Sequence, residues 1–216
     1  MKIGIKIVLW LASIFFAYKI YDSINGPIKF NKTKNERYAQ VIDRLKDIRK
    51  AQIAHKDVKG VFANNFDSLV KFVDEGIFTL IEKRDSSYLE YDRTYRIDML
   101  REVIVIDTLG TVPVKDSLFS NTDRYKNMAY VPIQGVQDSM FKINAEVINK
   151  NGYNVPVFEV KVSKNIILFD QDKDLVKQEN ETVSVDGVNG SEIILGSLSN
   201  VSTNGNWPTI FDAKQE

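Results

Sequence analysis

Residues 7–18 read IVLWLASIFFAY, a run without charge, Gly or Pro close to the N-terminus. A helix of this length rises about 18 Å, which is short of the roughly 30 Å hydrocarbon core of a bilayer. Lys6 and Lys19 flank the run, and their long side chains can reach the headgroups from positions inside the hydrocarbon. Counted from Ile3 to Tyr21, the segment is long enough to cross a membrane. We therefore expect one transmembrane helix.

Two other interpretations of this segment are open. Lys2 and Lys6 ahead of a short apolar run are also typical of a cleaved signal peptide. No small-x-small cleavage site follows the run, because Ala17 has Phe15 two places before it. A buried core helix is the other alternative, but the run is apolar on all sides rather than along one stripe. We favour an uncleaved signal anchor.

The side of the membrane on which the rest of the chain lies is also open. The short N-terminal tail has Lys2 and Lys6, whereas more basic residues follow the apolar run: Lys19, Lys29, Lys32, Lys34 and Arg37. The positive-inside rule would therefore keep the large region in the cytoplasm. A short basic tail ahead of an apolar run is nevertheless typical of an export signal. We expect a cytoplasmic N-terminus and a periplasmic domain, with the opposite orientation as the alternative.

Composition excludes several function classes. The 216 residues contain 29 Lys plus Arg, 29 Asp plus Glu, one His and no Cys. Disulfides, thiolate catalysis and Cys-ligated zinc are excluded, and His55 alone cannot form a multi-His metal site. The neutral balance gives no reason to expect nucleic acid as a partner, because binding to phosphates needs a basic surface. We expect no cofactor and no enzymatic activity.

Helical periodicity resumes after Gly26-Pro27, where the first helix is predicted to end. Apolar residues at i, i+3, i+4 and i+7 spacing between Tyr38 and Ala51 predict an amphipathic helix that ends near Gly60. Its other face alternates in charge, which is typical of a solvated face or of a helix that docks a partner. A shorter helix is predicted from the N-cap Asn65 to Gly76.

The later sequence is rich in β-branched residues with a period of two. It predicts strands at 103–106, 112–114, 128–133, 141–148, 155–162, 166–169, 181–185 and 192–195, the last two as a hairpin. The predicted fold is α+β, with a transmembrane helix, an amphipathic helix and a short helix packed on an antiparallel sheet. We divide the chain into a membrane anchor with its flank (1–25), a helical region (26–86) and a β-rich domain (87–216).

The stretch from residue 37 to 73 reads RYAQVIDRLKDIRKAQIAHKDVKGVFANNFDSLVKFV. It resembles the first helix and following loop of type IV pilins and type II secretion pseudopilins. The matching residues are Leu45, Ile48, Arg49, Ala51, Gln52 and Ala54 on the helix, Gly60, Phe62 and Ala63 in the loop, and Phe66, Asp67 and Leu69 in the short helix. The resemblance covers about forty residues and the N-terminal layout. It implies an envelope assembly component with an antiparallel sheet.

The sequence departs from this family at two places. Gly4 stands where the processing Gly of a pilin would be, but Leu9 occupies the position of the family's glutamate, and no acidic residue occurs between Met1 and Tyr21. Gly26-Pro27 also interrupts what should be one continuous helix. These departures indicate a pilin-like fold used as a single-pass membrane protein rather than as a filament subunit.

One acidic segment is a candidate metal site. Asp170, Asp172 and Asp174 alternate, and Glu181 stands at the twelfth position of a calcium loop that begins at Asp170. Leu175, however, occupies the sixth position, where the sharp turn of an EF-hand needs Gly. A solvated loop is the alternative interpretation.

The leading hypothesis is a non-enzymatic scaffold or assembly protein of the bacterial cell envelope. It would have the bilayer, an unidentified envelope protein and a further copy of itself as candidate partners. It predicts an exposed apolar patch or an unpaired strand edge. A membrane-tethered module that binds calcium, glycan or lipid is the alternative and predicts a concave site. A hydrolase that uses carboxylates is the third hypothesis and predicts two carboxylates facing each other in a cleft.

Overall fold

The structure, a computed structural model, describes residues 2–120, 122–136 and 138–212. It is an α+β protein, as predicted, but it has two antiparallel sheets where one was predicted. The helices are α1 (Lys2–Lys59), α2 (Phe66–Glu75), α3 (Val114–Phe119), α4 (Lys164–Ile167) and α5 (Lys173–Asn180). The strands are β1 (Ile77–Asp92), β2 (Ile97–Pro113), β3 (Lys142–Lys150), β4 (Tyr153–Ser163) and β5 (Glu192–Gly196). Two short 3₁₀ helices span Asp123–Asn127 and Thr209–Phe211.

Helix α1 has two halves with opposite surroundings. Its N-terminal half is long and apolar enough to cross a membrane, and the large apolar side chains from Ile3 to Ile24 are 56–76% exposed. In its C-terminal half, the predicted stripe is buried: Tyr38, Val41, Ile42, Leu45, Ile48 and Ala51. Burying each of the large aliphatic side chains contributes about 1.5–3 kcal/mol. The same helix therefore presents one apolar surface to its environment and another to the core.

Two predicted helix boundaries, the end of α1 at Gly60 and the start of α2 at Asn65, are confirmed. Gly60 follows α1 with φ of +80°, a conformation that costs Gly little, and its N–H donates to the carbonyl of Lys56 at 2.7 Å. Asn65 caps α2, because its side chain accepts a hydrogen bond from the N–H of Ser68 at 2.7 Å.

The predicted break at Gly26-Pro27 is wrong, because α1 continues through Pro27 to Lys59. Pro already has a helical φ, and Gly26 has no Cβ to clash with the proline ring. Asn25, two residues before Pro27, also donates from its side chain to the carbonyl of Tyr21 at 2.9 Å. The cost of a proline, about 3 kcal/mol, falls inside a helix that is anchored by tertiary packing at its other half.

The second sheet has the order β3-β4-β5 and forms the wall of the core. Phe158, Val160 and Val162 alternate along β4 and are at most 3% exposed. They pack in one cluster with the buried stripe of α1 and with α2. Strands β3, β4 and β5 confirm the predictions at 141–148, 155–162 and 192–195.

Three of the predicted strands are wrong. Residues 166–169 lie in and just after helix α4, which Ser163 caps. Residues 128–133 form a loop whose apolar side chains, including Met128 and Val131, are buried without pairing as a strand. Residues 181–185 follow α5 as a turn, so the predicted hairpin with β5 does not form and β5 pairs with β4 instead. Short apolar runs of this kind cannot be assigned to strand or helix from periodicity alone.

The first sheet begins earlier than the sequence predicted. Strand β1 starts at Ile77, within the segment 26–86 that we predicted as a helical region. The predicted strand at 103–106 lies inside β2, which also includes Val112 and Pro113, while Val114 already begins α3. The charged centre of β1 does not have the apolar alternation that predicts a strand, because its polar side chains lie on an exposed ribbon rather than against a core.

Candidate interaction surface

The most unusual feature of the molecule is a long, exposed hairpin made of β1 and β2, called here the arm. Its strands pair from Ile77–Pro113 at the base to Asp92–Ile97 at the tip. Sixteen residues of β1 correspond to a ribbon about 50 Å long. At the tip, the carboxylate of Asp92 accepts hydrogen bonds from the N–H groups of Thr94 and Tyr95, which holds the turn.

The base of the arm is fixed to the core. Gly76 packs so closely against α2 that a Cβ would lie 2.3 Å from the carbonyl oxygen of Phe72. The N–H of Val114 donates to the carbonyl of Gly76 at 2.9 Å, and Val114 is fully buried. The hydroxyl of Tyr125 donates to Asp74 at 2.6 Å, and this bond with the carboxylate raises the pKa of Tyr125 to about 12. The contacts of Gly76 and Val114 hold the base of the arm against the core.

The two faces of the arm differ in chemistry. One face, the mixed face, has Leu89, Tyr91, Leu100, Ile104 and Ile106, each 57–67% exposed, and on this same face Asp85 pairs with Ile104 and Lys83 with Ile106. The other face, the charged face, has cross-strand ion pairs between Arg84 and Asp107 and between Arg101 and Glu90. Those pairs lie over Met99, Val103 and Val105, which are only 37–40% exposed.

An arm of this kind is not expected to be stable alone. A two-stranded hairpin is marginal in water, and large apolar side chains that it leaves exposed can be covered by a partner. In the described part of the chain, no third strand joins β1 or β2, so both edges present free backbone groups. The arm is therefore the candidate interaction surface of the protein.

A second group of side chains attaches α1 to the domain. The ammonium of Lys164 is fully buried and donates to Glu179 Oε1 at 3.1 Å and to the carbonyls of Glu179 and Val188. Lys34 on α1 donates to the other carboxylate oxygen of Glu179 at 2.9 Å. The hydroxyl of Tyr38 also contacts Glu179, and burial, followed by this negative charge, raises the pKa of Tyr38 strongly. Burial lowers the pKa of Lys164, against the effect of Glu179.

Two of the four candidate calcium residues, Asp170 and Asp172, bind the protein itself through their side chains. Asp170 forms a two-bond pair with the guanidinium of Arg37, and these hydrogen bonds hold the pKa of Asp170 well below its usual range. Asp172 is the N-cap of α5 and Asp174 lies in its first turn. Glu181 is the C-cap of the same helix. Among the described residues, no group of three or more His, Asp or Glu side chains is arranged to hold a metal ion.

Helix α5 itself was missed by the sequence analysis, which treated the acidic segment as a loop. The signal was present, because Asp172 stands before a run of helix formers and is a favoured N-cap residue. Its side chain accepts hydrogen bonds from the N–H groups of Asp174 and Leu175. Alternating aspartates therefore serve here to begin a helix.

His55 and the charged face of α1 are used within the chain. The Nδ1 atom of His55 lies 2.6 Å from the carbonyl oxygen of Val61, and its ring packs edge-on against Phe72. Lys46 donates to the carbonyl of Phe211, and Asp47 pairs with Arg124 at 3.3 Å. This part of α1 contacts its own domain at positions where a docking helix would leave its charges free.

The surface also has concavities. One of about 510 Å³ borders α1 and is lined by three carboxylates, Glu36, Asp43 and Asp186, all of them exposed. At an active site, the acid and the base of a carboxylate pair have different environments, and one of them is usually shielded from solvent. The three carboxylates here are all exposed. This concavity gives no support to a hydrolase.

Comparisons of the chain with protein family models, with curated proteins and with solved structures gave no match.

Proposed function

We propose that this protein is a single-pass, membrane-anchored scaffold or assembly component of the bacterial cell envelope, without enzymatic activity. In this proposal, the N-terminal half of α1 lies in the bilayer, the core domain stands outside the cytoplasm, and the arm docks a protein partner. The observation that supports it most is that two separate parts of the molecule expose large apolar side chains. One is the N-terminal half of α1 and the other is the arm of the folded domain.

The continuity of α1 gives the anchor a mechanical role. Phe30 is the first large apolar side chain of α1 that is buried, at 6% exposure, and Tyr21 is the last residue of the proposed span. The helix between them rises about 13 Å without a break at Pro27. Lys34 and Arg37, one and two turns further on, are bonded to Glu179 and Asp170. The domain would therefore stand at a fixed short distance from the bilayer.

The pilin-like layout is part of the proposal. An unbroken helix that spans the bilayer and then packs on an antiparallel sheet is what the resemblance implies. The residues that carry the resemblance include Leu45, Ile48 and Ala51, and all three are in the core. Leu9 still stands in place of the family's glutamate, so we propose a resident membrane protein and not a filament subunit.

One double variant and one control variant test the anchor. Leu11→Arg together with Ile14→Arg places two guanidinium groups in the proposed span, each at a cost of about 2.5–3.5 kcal/mol at the centre of a membrane helix. After alkaline extraction, we expect the unaltered protein to remain in the membrane fraction and the double variant to appear in the soluble fraction. Ile28→Arg is the control, because Ile28 is 60% exposed on the same helix but lies outside the proposed span. Extraction of the unaltered protein at alkaline pH would overturn the proposal.

A further inference from the structure

The two edges of the arm are not equivalent. Strand β1 has a polar centre, Glu82-Lys83-Arg84-Asp85-Ser86-Ser87. The centre of β2 reads Val103-Ile104-Val105-Ile106, without a charge, Pro or Gly. Natural proteins protect free edges with charged residues, Pro and bulges. The edge of β1 is protected in this way, whereas the central edge of β2 has none of these features and is suited to pair with another strand.

The sequence of β2 is complementary to itself in one antiparallel register. When Ile104 of two copies meets on a two-fold axis, Val103 lies opposite Val105 of the second copy. Arg101 then lies opposite Asp107 of the second copy, because each is three residues from Ile104. Opposite charges at directly facing positions stabilise antiparallel strands. An axis at Val103 or Val105 would instead set Arg101 opposite Val105 or Leu109, without this pairing.

The faces of the arm agree with this register. Arg101 and Asp107 both lie on the charged face, beside Glu90 and Arg84, so two pairs within each arm would join into one network across the axis. On the opposite side, the two Ile104 side chains would meet at the axis, and Ile106 of each copy would lie opposite Glu102 of the other. A two-fold axis makes each of these contacts twice, as expected for an isologous dimer.

We propose that the partner of the arm is a second copy of this chain, and that the two β2 strands pair antiparallel about Ile104 to form a four-stranded sheet. This proposal rests on the proposed function, since it names the protein that the arm docks. The regular ladder would run from Leu100 opposite Thr108 of the second copy to the symmetry-related pair, short of the bulge at Leu109. It would give both copies more than the two strands that are marginal alone.

Disulfide cross-linking of the full-length protein in isolated membranes tests the register, because the natural chain has no cysteine. In Ile104→Cys, the two thiols would face each other across the axis at the short Cβ separation of directly opposed residues. Asp85→Cys is the matched control, since Asp85 pairs with Ile104 within the arm but lies on β1, one strand further from the axis. With copper phenanthroline as oxidant, we expect at least tenfold more linked dimer for Ile104→Cys than for Asp85→Cys.

Sedimentation in detergent provides an independent readout. The unaltered chain should be a dimer, Ile104→Lys a monomer, and Ser86→Lys, on the edge of β1, a dimer. Neither substitution touches the core, because Ile104 is 63% exposed and Ser86 is exposed. A monomeric unaltered chain, or equal cross-linking of the two cysteine variants, would overturn the dimer. Either result would leave the alkaline-extraction result unchanged, so failure of the dimer and failure of the anchor can be told apart.

Discussion

The buried ammonium of Lys164 lies 3.1 Å from Oε1 of Glu179, and the same carboxylate binds Lys34 of α1 through its other oxygen. Lys164 and Glu179 belong to the small helices α4 and α5, whereas Lys34 is 145 residues away from Glu179 in sequence. One carboxylate therefore connects the proposed anchor helix to α4 and α5, which lie far from it in sequence.

Removal of Glu179 should destabilise the domain strongly. In Glu179→Ala, the ammonium of Lys164 stays buried without its carboxylate, which typically costs 3–5 kcal/mol. We expect a loss of about 3 kcal/mol, because two carbonyls still accept from Lys164. Urea unfolding of the detergent-solubilised protein measures it. Glu181→Ala, an exposed carboxylate two positions on, should change stability by less than about 0.5 kcal/mol; equal losses for both variants would contradict this account.

The pair between Arg37 and Asp170 predicts a response to acid. The folded pKa of Asp170 is depressed below its unfolded value, so its contribution is complete above about pH 4 and is lost as the pH falls toward the folded pKa. Since the Asp170 side chain is 43% exposed, solvent limits the effect to about 1 kcal/mol. Between pH 5 and pH 2, the unaltered protein should lose more stability than Asp170→Asn; parallel pH profiles for the two would show that the pair contributes nothing.

Gln52 should be required for the turn after α1. It is fully buried, and its side chain both donates to the carbonyl of Ala63 at 2.8 Å and accepts from its N–H at 2.9 Å. Gln52→Ala leaves two buried backbone groups unpaired, at a cost of about 1–3 kcal/mol. Gln40→Ala, at an exposed position of the same helix, is the control and should be neutral. Thermal unfolding of both variants measures the difference. Equal melting temperatures for Gln52→Ala and Gln40→Ala would show that the turn does not require Gln52.

The base of the arm should not accept a Cβ at Gly76. In Gly76→Ala, the added carbon would meet the carbonyl oxygen of Phe72 at 2.3 Å, so α2 and the arm must shift. We expect a loss of about 1–3 kcal/mol in unfolding free energy. Gly110→Ala in β2 meets nothing within 4 Å and should be tolerated. If Gly76→Ala is as stable as Gly110→Ala, the close packing of Gly76 against Phe72 does not hold the base of the arm.

Much of the core was predictable because local patterns determine it. The stripe from Tyr38 to Ala51, the cap at Asn65 and the alternation along β4 each depend on a few neighbouring residues. The continuation of α1 through Pro27 was not predictable, since it depends on a helix that tertiary contacts support far from the proline.

The candidate surface was predictable only in part. The sequence indicates a strand at Val103–Ile106. It does not show that, among the described residues, no strand besides β1 pairs with β2, because strand order follows from contacts between distant residues. The same holds for Glu179, which no local pattern distinguishes from the exposed Glu181.

The topology of the chain tests the central claim most directly. Lys150→Cys places a single thiol at the exposed end of β3, and Lys2→Cys places one in the short N-terminal tail. Both variants would be expressed in a bacterial host and treated, as intact cells with a permeable outer membrane, with a maleimide that cannot cross the inner membrane. The account predicts that Lys150→Cys is labelled and that Lys2→Cys is labelled only after lysis. Labelling of Lys150→Cys only after lysis would place the domain in the cytoplasm, as the positive-inside rule predicts, and would contradict the account.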